Sequence, residues 1–322
     1  MTEELDFNPF PIIKGSFAQT ILGSIPHLKK GPKSVTKFIA LPDKDYLAVE
    51  ITTPKKWKKT DPTIVLVHGL CGSHKSPILV RLAKKFKSKN IRSVRVNLRG
   101  CGSGRGKAKK LYHGGQSSDI FEVLKVLKNE HPLSDITLIG FSLGGNISLK
   151  LAGELSIEGI DILKKVIAIN PPVDLLASVK RLDIKENRIY QKYFVKLLKE
   201  DLEYRKKIFP ELNEIEFPED ITFFQWDELY TTKAYGFDDV LTYYKKSSSK
   251  TLVPSITMPC HILFSDDDPI IKSQTFDNYT LPKNVRLFKT KNGGHIGYIG
   301  FPKKFKGLYW IDNVIVNWAL EE

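Results

Sequence analysis

The sequence predicts an α/β protein: a mostly parallel, doubly wound sheet, with an N-terminal hairpin and a helical insertion. Three observations carry this. Continuous runs such as Thr63-Ile64-Val65-Leu66-Val67 are rich in β-branched residues, and unbroken apolar runs mark strands covered on both faces. Strand and helix patterns alternate from about residue 63 to residue 172. The turns after the strands carry Gly, Pro or polar residues, and such sheets hold their ligands beyond the C-terminal ends of the strands.

Residues 1–35 are irregular, punctuated by Pro9, Pro11, Pro26 and Pro32, with one short helix over 16–25. Segments 35–41 and 46–52 alternate apolar and polar residues about Pro42-Asp43-Lys44-Asp45, a hairpin signal. After a basic loop, the strand 63–67 ends in His68-Gly69. The helix expected over 77–86 has Ile78, Leu79, Leu82, Ala83 and Phe86 at helical spacing and Pro77 in its first turn. Strand 93–98 leads into a Gly-rich loop. A helix over 117–127 buries Ile120, Val123, Leu124 and Leu127, and Ser117, Ser118 or Asp119 can cap it. A strand from Ile136, a turn at Ser142 and a helix with Ile147, Leu151 and Leu155 follow, then strand 165–169.

The alternation lapses over residues 173–250. This stretch is charged and helical, with a helix over 189–198 and aromatic residues from Phe217 to Tyr244. It reads as a cap inserted over the sheet edge, with 1–172 and 251–322 forming one core domain. Strands over 260–264 and 285–289 resume the pattern. A helix over 310–320, with Ile311, Val314, Ile315 and Trp318 as its stripe, closes it.

Composition narrows the class. The chain has 322 residues, 41% of them hydrophobic and 27% charged, within the globular range. Its formal charge of +14 is spread over short clusters such as Lys55-Lys56-Trp57-Lys58-Lys59, Arg205-Lys206-Lys207 and Lys303-Lys304. Dispersed clusters are solvated surface first; the remaining reading is peripheral contact with anionic membrane or attraction of acidic substrates. Nucleic acid is not an expected partner, because no recognised module accompanies the charge. Three widely spaced cysteines, Cys71, Cys101 and Cys260, indicate neither a disulfide framework nor a zinc knuckle. A reducing, cytoplasmic setting is expected, with no signal peptide and no spanning helix.

Gly140-Phe141-Ser142-Leu143-Gly144 has the G-x-S-x-G form of a nucleophile elbow. The pattern alone arises by chance roughly once in ten chains of this length, so its context decides. A buried strand precedes it and a helix follows. Ser142 then needs a base, and His295, in the glycine-lined loop after the last strand, is the best candidate. His27 and His131 lie beside prolines in polar connectors. His74 and His113 sit in loops and could line the site, His261 begins a strand, and His68 is placed to hold its own loop. An orienting acid comes from Asp266-Asp267-Asp268; Asp268 is chosen because Pro269 fixes the turn beside it, with Asp267 the close alternative. Backbone N–H groups of Leu70 and Leu143 are the expected oxyanion donors. Cys71 lacks the elbow context for a nucleophile.

The order Ser142, Asp268, His295 is that of α/β-hydrolases. Gly100-Cys101-Gly102-Ser103-Gly104-Arg105-Gly106 invites a dinucleotide reading, but in either register the third glycine of G-x-G-x-x-G is missing. No P-loop and no H-E-x-x-H are present, so neither cofactor nor metal is expected.

The chain resembles the YheT-type subgroup of α/β-hydrolases, which includes abhydrolase-domain and plant embryogenesis-associated proteins. The resemblance rests on residues 17–22, His68-Gly69-Leu70, Asn97-Leu98-Arg99-Gly100-Cys101-Gly102, His113-Gly114-Gly115-Gln116, the elbow through Asn146, residues 235–244, Asp267-Asp268-Pro269 and Gly293-Gly294-His295-Ile296-Gly297. Ala18 departs from it, since relatives often carry histidine there. The resemblance implies a carboxylic-ester hydrolase with a small-molecule ester or lipid substrate, acylglycerol or phospholipid in some relatives. The competing readings are a lipase at a membrane surface and a non-catalytic binding protein with a vestigial triad.

Overall fold

The computed structural model describes residues 2–25, 31–301 and 307–321. His27 and the Lys303-Lys304 cluster lie outside them. In chain order the elements are β1 (Thr2–Glu4), α1 (Ser16–Ser24), β2 (Val35–Ala40), β3 (Tyr46–Thr52), β4 (Thr63–Val67), α2 (Pro77–Ser88), β5 (Arg92–Asn97), α3 (Ser117–Glu130), β6 (Ile136–Phe141), α4 (Leu143–Glu158) and β7 (Lys165–Ile169). Then follow α5 (Leu175–Leu182), α6 (Arg188–Lys206), α7 (Phe223–Trp226), a π-turn (Asp227–Thr231), α8 (Thr232–Tyr235), α9 (Val240–Ser247), β8 (Cys260–Ser265), β9 (Val285–Thr290) and α10 (Trp310–Leu320).

The described strands form one sheet in the order β1-β9-β8-β7-β6-β4-β5-β3-β2. The β2–β3 and β3–β5 pairs are antiparallel and the rest are parallel. The hairpin and the doubly wound parallel sheet are therefore as the sequence predicts. β1 is an addition: too short for a periodic signal, it pairs with β9 and is held by Arg286, whose guanidinium makes two bonds to the Glu3 carboxylate at 2.9 and 2.8 Å.

The unbroken apolar runs now have their reason. Along β4, Val65 and Val67 pack with Val123, Leu124 and Leu151 of α3 and α4, while Ile64 and Leu66 pack on the other face with Leu79, Phe86 and Ile315 of α2 and α10. Each such fully buried aliphatic side chain contributes about 1.5–3 kcal/mol.

Two local expectations change. Helix α3 is preceded by Gln116 and has no side-chain cap. Asp119 instead takes the Arg99 guanidinium at 2.6 and 2.8 Å, and Ser117 donates to Glu154 at 2.5 Å. Charge pairing inside the fold is stronger than a cap bond, so these side chains turn inward. The expected 189–198 helix is also only the first half of α6, whose later turns bury Leu202 and Arg205.

β5 and β6 lie on opposite sides of β4. The winding reverses there, and a crevice opens between the loops leaving β4 and β6. Those loops carry Leu70 and Ser142.

Candidate active site

The elbow is a strained turn. Ser142 sits at φ 49°, ψ −123°, between β6 and α4. A non-glycine residue there costs about 1–3 kcal/mol and persists only where its surroundings enforce it. Its N–H donates to the Ile169 carbonyl at 2.9 Å, and its own carbonyl accepts from Gly145 at 2.7 Å. A Cβ on Gly140 would lie 2.2 Å from the Gly144 carbonyl oxygen, and one on Gly144 2.4 Å from that of His68. The two glycines of the motif let β6, α4 and the β4 loop close on one another.

His295 Nε2 lies 2.8 Å from Ser142 Oγ, and His295 Nδ1 lies 2.7 Å from Asp268 Oδ2. The other bonds to Asp268 come from the N–H groups of Ile270 and Ile271 on Oδ1 (2.8 and 2.9 Å) and from Asn170 Nδ2 on Oδ2 (2.7 Å). The carboxyl is thus an acceptor throughout. Nδ1 of His295 carries the proton, and Nε2 is left to accept from the serine hydroxyl.

The choice between neighbouring carboxylates resolves geometrically. Asp267 faces the other way, its Oδ1 accepting from Gly294 N–H at 2.8 Å and Ser265 Oγ at 2.5 Å. It shapes the loop that presents His295. Asp266 takes the Ser273 hydroxyl.

Leu143 is the first residue of α4, and its N–H has no carbonyl to meet within the helix. The β4 loop runs against the elbow: a Cβ on Gly69 would lie 3.6 Å from Ser142 Oγ. Leu70, Leu143, Ser142 and His295 all line one cavity. Most of its wall is apolar, including Leu182, Phe194 and Leu198 from α5 and α6, and Phe223, Trp226 and Tyr243 from α7 and α9.

The remaining histidines separate cleanly. His68 is fully buried; its Nδ1 donates to Gly69 O at 2.7 Å, and its Nε2 accepts from Leu98 N–H at 3.1 Å. Burial lowers its pKa to about 4, so it stays neutral and holds the loop. His113 lines the cavity, with burial lowering it to about 3. His74 bonds Asn97 outside the cavity, His131 packs edge-on to Trp57, and His261 packs edge-on against the stacked Phe288 and Trp318. Burial pushes the Cys71 thiol up to about 12, which makes it a poor nucleophile at neutral pH.

The sequence reading missed three contributors. Asn170, at φ 46°, donates to Asp268 and accepts from Tyr298 OH at 2.7 Å, linking the acid to the core. It stands directly after β7, a position that could have flagged it. Thr20 of α1 accepts the backbone N–H of His295 at 2.9 Å, a contact 275 residues apart and invisible to local pattern. Asp227 lies buried in the cavity wall, accepting from Thr231 at 2.7 Å and Tyr244 at 2.9 Å; burial raises its pKa to about 7, against the lowering effect of those two hydroxyls.

The Gly-rich loop after β5 is a socket. Arg205 of α6, fully buried, donates to the carbonyls of Ala108 and Lys109 at 3.0 Å and of Arg99 at 3.2 Å. A Cβ on Gly100 would lie 1.9 Å from its guanidinium.

Residues 62–302 match the family model described as alpha/beta hydrolase fold. The chain is 27% identical over 285 residues to the putative esterase YheT of Escherichia coli, covering 87% of this chain and 83% of that protein. It is 26% identical over 252 residues to a monoacylglycerol lipase of Saccharomyces cerevisiae, covering 74% and 55% of the two chains. Among solved structures, ferulic-acid-bound Est1E of Butyrivibrio proteoclasticus superposes with a TM-score of 0.58 at 18% identity, covering 88% of this chain and 98% of that one, which shows the shared fold. With about three-quarters of its length inside the family model and a strand order and elbow of that architecture, the chain belongs to the α/β-hydrolase fold family and, within it, resembles the YheT-type proteins.

Proposed function

We propose that the protein hydrolyses carboxylic esters through an acyl-enzyme formed on Ser142. The observation that carries this is the unbroken chain from Ser142 Oγ through His295 to Asp268, opening into an apolar cavity. Ser142 Oγ attacks the ester carbonyl carbon as His295 Nε2 takes its proton. The Leu70 and Leu143 N–H groups hold the oxygen that becomes negative, and Asp268 stabilises the imidazolium. The tetrahedral adduct collapses, the C–O bond to the alcohol breaks, and His295 returns the proton to the leaving oxygen. Water, deprotonated by His295, then attacks the acyl carbonyl and releases the carboxylic acid and free Ser142.

Residues 173–250 act in this reading as a cap over a core of 1–172 and 251–322, because they supply one wall of the cavity. The apolar lining favours acyl chains of short or medium length. A second reading, hydrolysis of acylglycerols or phospholipids at a membrane surface, draws on the same apolar wall and on the named activity of the Saccharomyces relative. No described helix is long and apolar enough to cross a membrane, so such contact would be peripheral.

The test is chromogenic-ester hydrolysis with fluorophosphonate labelling, comparing wild type and Ser142→Ala. Ser142→Ala is expected to lose labelling and to fall by about 10⁴-fold or more in kcat. A folded wild-type protein that is neither labelled nor active, yet binds an ester tightly, would instead support a non-catalytic binding protein.

A further inference from the structure

We propose that the face formed by α1 and the first half of α6 docks the protein on an anionic lipid surface, with the cavity mouth turned towards it. The inference deepens the ester-hydrolase reading by naming a partner, and it rests on that reading for the cavity's role.

The first observation is exposed apolar surface in one place. Helix α1 contains no charged residue and leaves Phe17 54% exposed, with Ile21, one turn on, also exposed. On α6, Ile189 and Tyr193, also one turn apart, are 57% and 58% exposed. The two helices meet: the Phe17 ring packs 6.1 Å from that of Tyr190. Large apolar side chains scattered singly need no explanation, but a set gathered on adjoining helices marks an interaction surface.

The second observation is where this face lies. Thr20 of α1 takes the His295 N–H, so the helix abuts the catalytic loop. Tyr193 packs 5.6 Å from Phe194, which lines the cavity. The apolar face thus borders the site itself.

The third observation selects the partner. The ion pairs within α6 among the described residues fall in its later part: Lys196 with Glu200, Arg205 with Asp201 and Lys206 with Glu203. Exposed Arg188 and Lys192, and Lys185 just before the helix, make no ion pair among the described residues, although Glu186 lies in the same stretch and Asp183, Glu219 and Asp220 line the same groove. Unpaired cations beside apolar side chains match a bilayer with anionic headgroups: the cations meet the headgroups and the apolar groups enter the acyl boundary.

The test measures co-flotation of the full chain with phosphatidylcholine vesicles, with and without phosphatidylglycerol. The wild type is expected to bind the anionic vesicles, less so at high salt. Arg188→Glu/Lys192→Glu should weaken that binding at least tenfold and remove its salt sensitivity. Ile189→Ser/Tyr193→Ser should weaken it at least tenfold at any salt. Leu133→Ser, which removes an exposed apolar residue at the opposite end of the strands, should change nothing. Circular dichroism verifies folding, and hydrolysis of a soluble short-chain ester should be unchanged in all three variants. Ser142→Ala should still bind vesicles, so vesicle binding without any ester hydrolysis would leave this surface standing and remove the esterase reading. Wild type that ignores anionic vesicles, binding equally weakened by Leu133→Ser, or a dimer split by Ile189→Ser/Tyr193→Ser without vesicle binding would each overturn the proposal.

Discussion

Asp268 and Asp267 are adjacent in sequence and bond to different partners, which makes them the sharpest residue-scale test. Asp268→Asn places an amide where His295 Nδ1 must donate, so the imidazole is held in the wrong tautomer; kcat should fall about 10⁴-fold with the fold retained. Asp267→Asn keeps an acceptor oxygen for Gly294 N–H and should cost less than about tenfold. Steady-state kinetics on one ester decides between them. Equal losses would return Asp267 to the catalytic chain. Directly after Pro269, the N–H groups of Ile270 and Ile271 reach back to the Asp268 carboxylate. The roles of Asn170 and Thr20 were not legible, because their partners are far along the chain and no local pattern names them.

At the scale of elements, close approach replaces side-chain chemistry. Gly144→Ala puts a methyl group against backbone carbonyls of the β4 loop, which cannot rotate away. A loss of about 1–3 kcal/mol in urea unfolding is expected, with activity falling further than stability because Leu70 and Ser142 are pushed apart. Unchanged stability would mean that the β4 loop yields more readily than its packing suggests. Helix α6 depends on a different device. Arg205→Met leaves the half-buried Asp201 and the loop carbonyls unpaired, with a cost of about 3–5 kcal/mol expected. Since α6 also carries Phe194 and Leu198 into the cavity wall, KM should rise while labelling of Ser142 persists. Helices and strands of the core were readable because each buries a periodic stripe. The aromatic stretch from 217 to 244 was not, since its rings pack on one another, as Phe217 on Trp226 at 4.5 Å, and leave no single period.

For the whole molecule, buried histidines set the response to acid. Burial holds His68 and His261 to about 4 and His113 to about 3, from an ordinary 6.5. Their contribution to stability is full above about pH 6.5 and is lost as pH falls through the folded values, because the unfolded chain takes up the protons first. Asp227, raised from 3.8 to about 7, works in the opposite sense: its contribution is full below pH 3.8 and is lost as pH rises through about 7. Between about pH 4 and 6.5 these three histidines, with His74 and His131 lowered likewise by burial, outweigh Asp227 and the raised carboxyls of Asp119 and Asp183, so Tm should fall as pH is lowered through that window. Asp227→Asn should steepen the fall. A Tm that is flat or rising towards pH 4 would contradict the burial of these groups.

The sequence by itself determined the sheet, its winding, the elbow serine and the histidine after the last strand. Each of these follows from local periodicity or from a turn that only particular residues can make. Tertiary structure decided which aspartate meets His295, that the Gly-rich loop houses Arg205, and that Asn170, Thr20 and Asp227 belong to the site. Those outcomes depend on groups far apart in the chain, whose bonds exist only once the sheet has closed and the helices between β7 and β8 have settled against it.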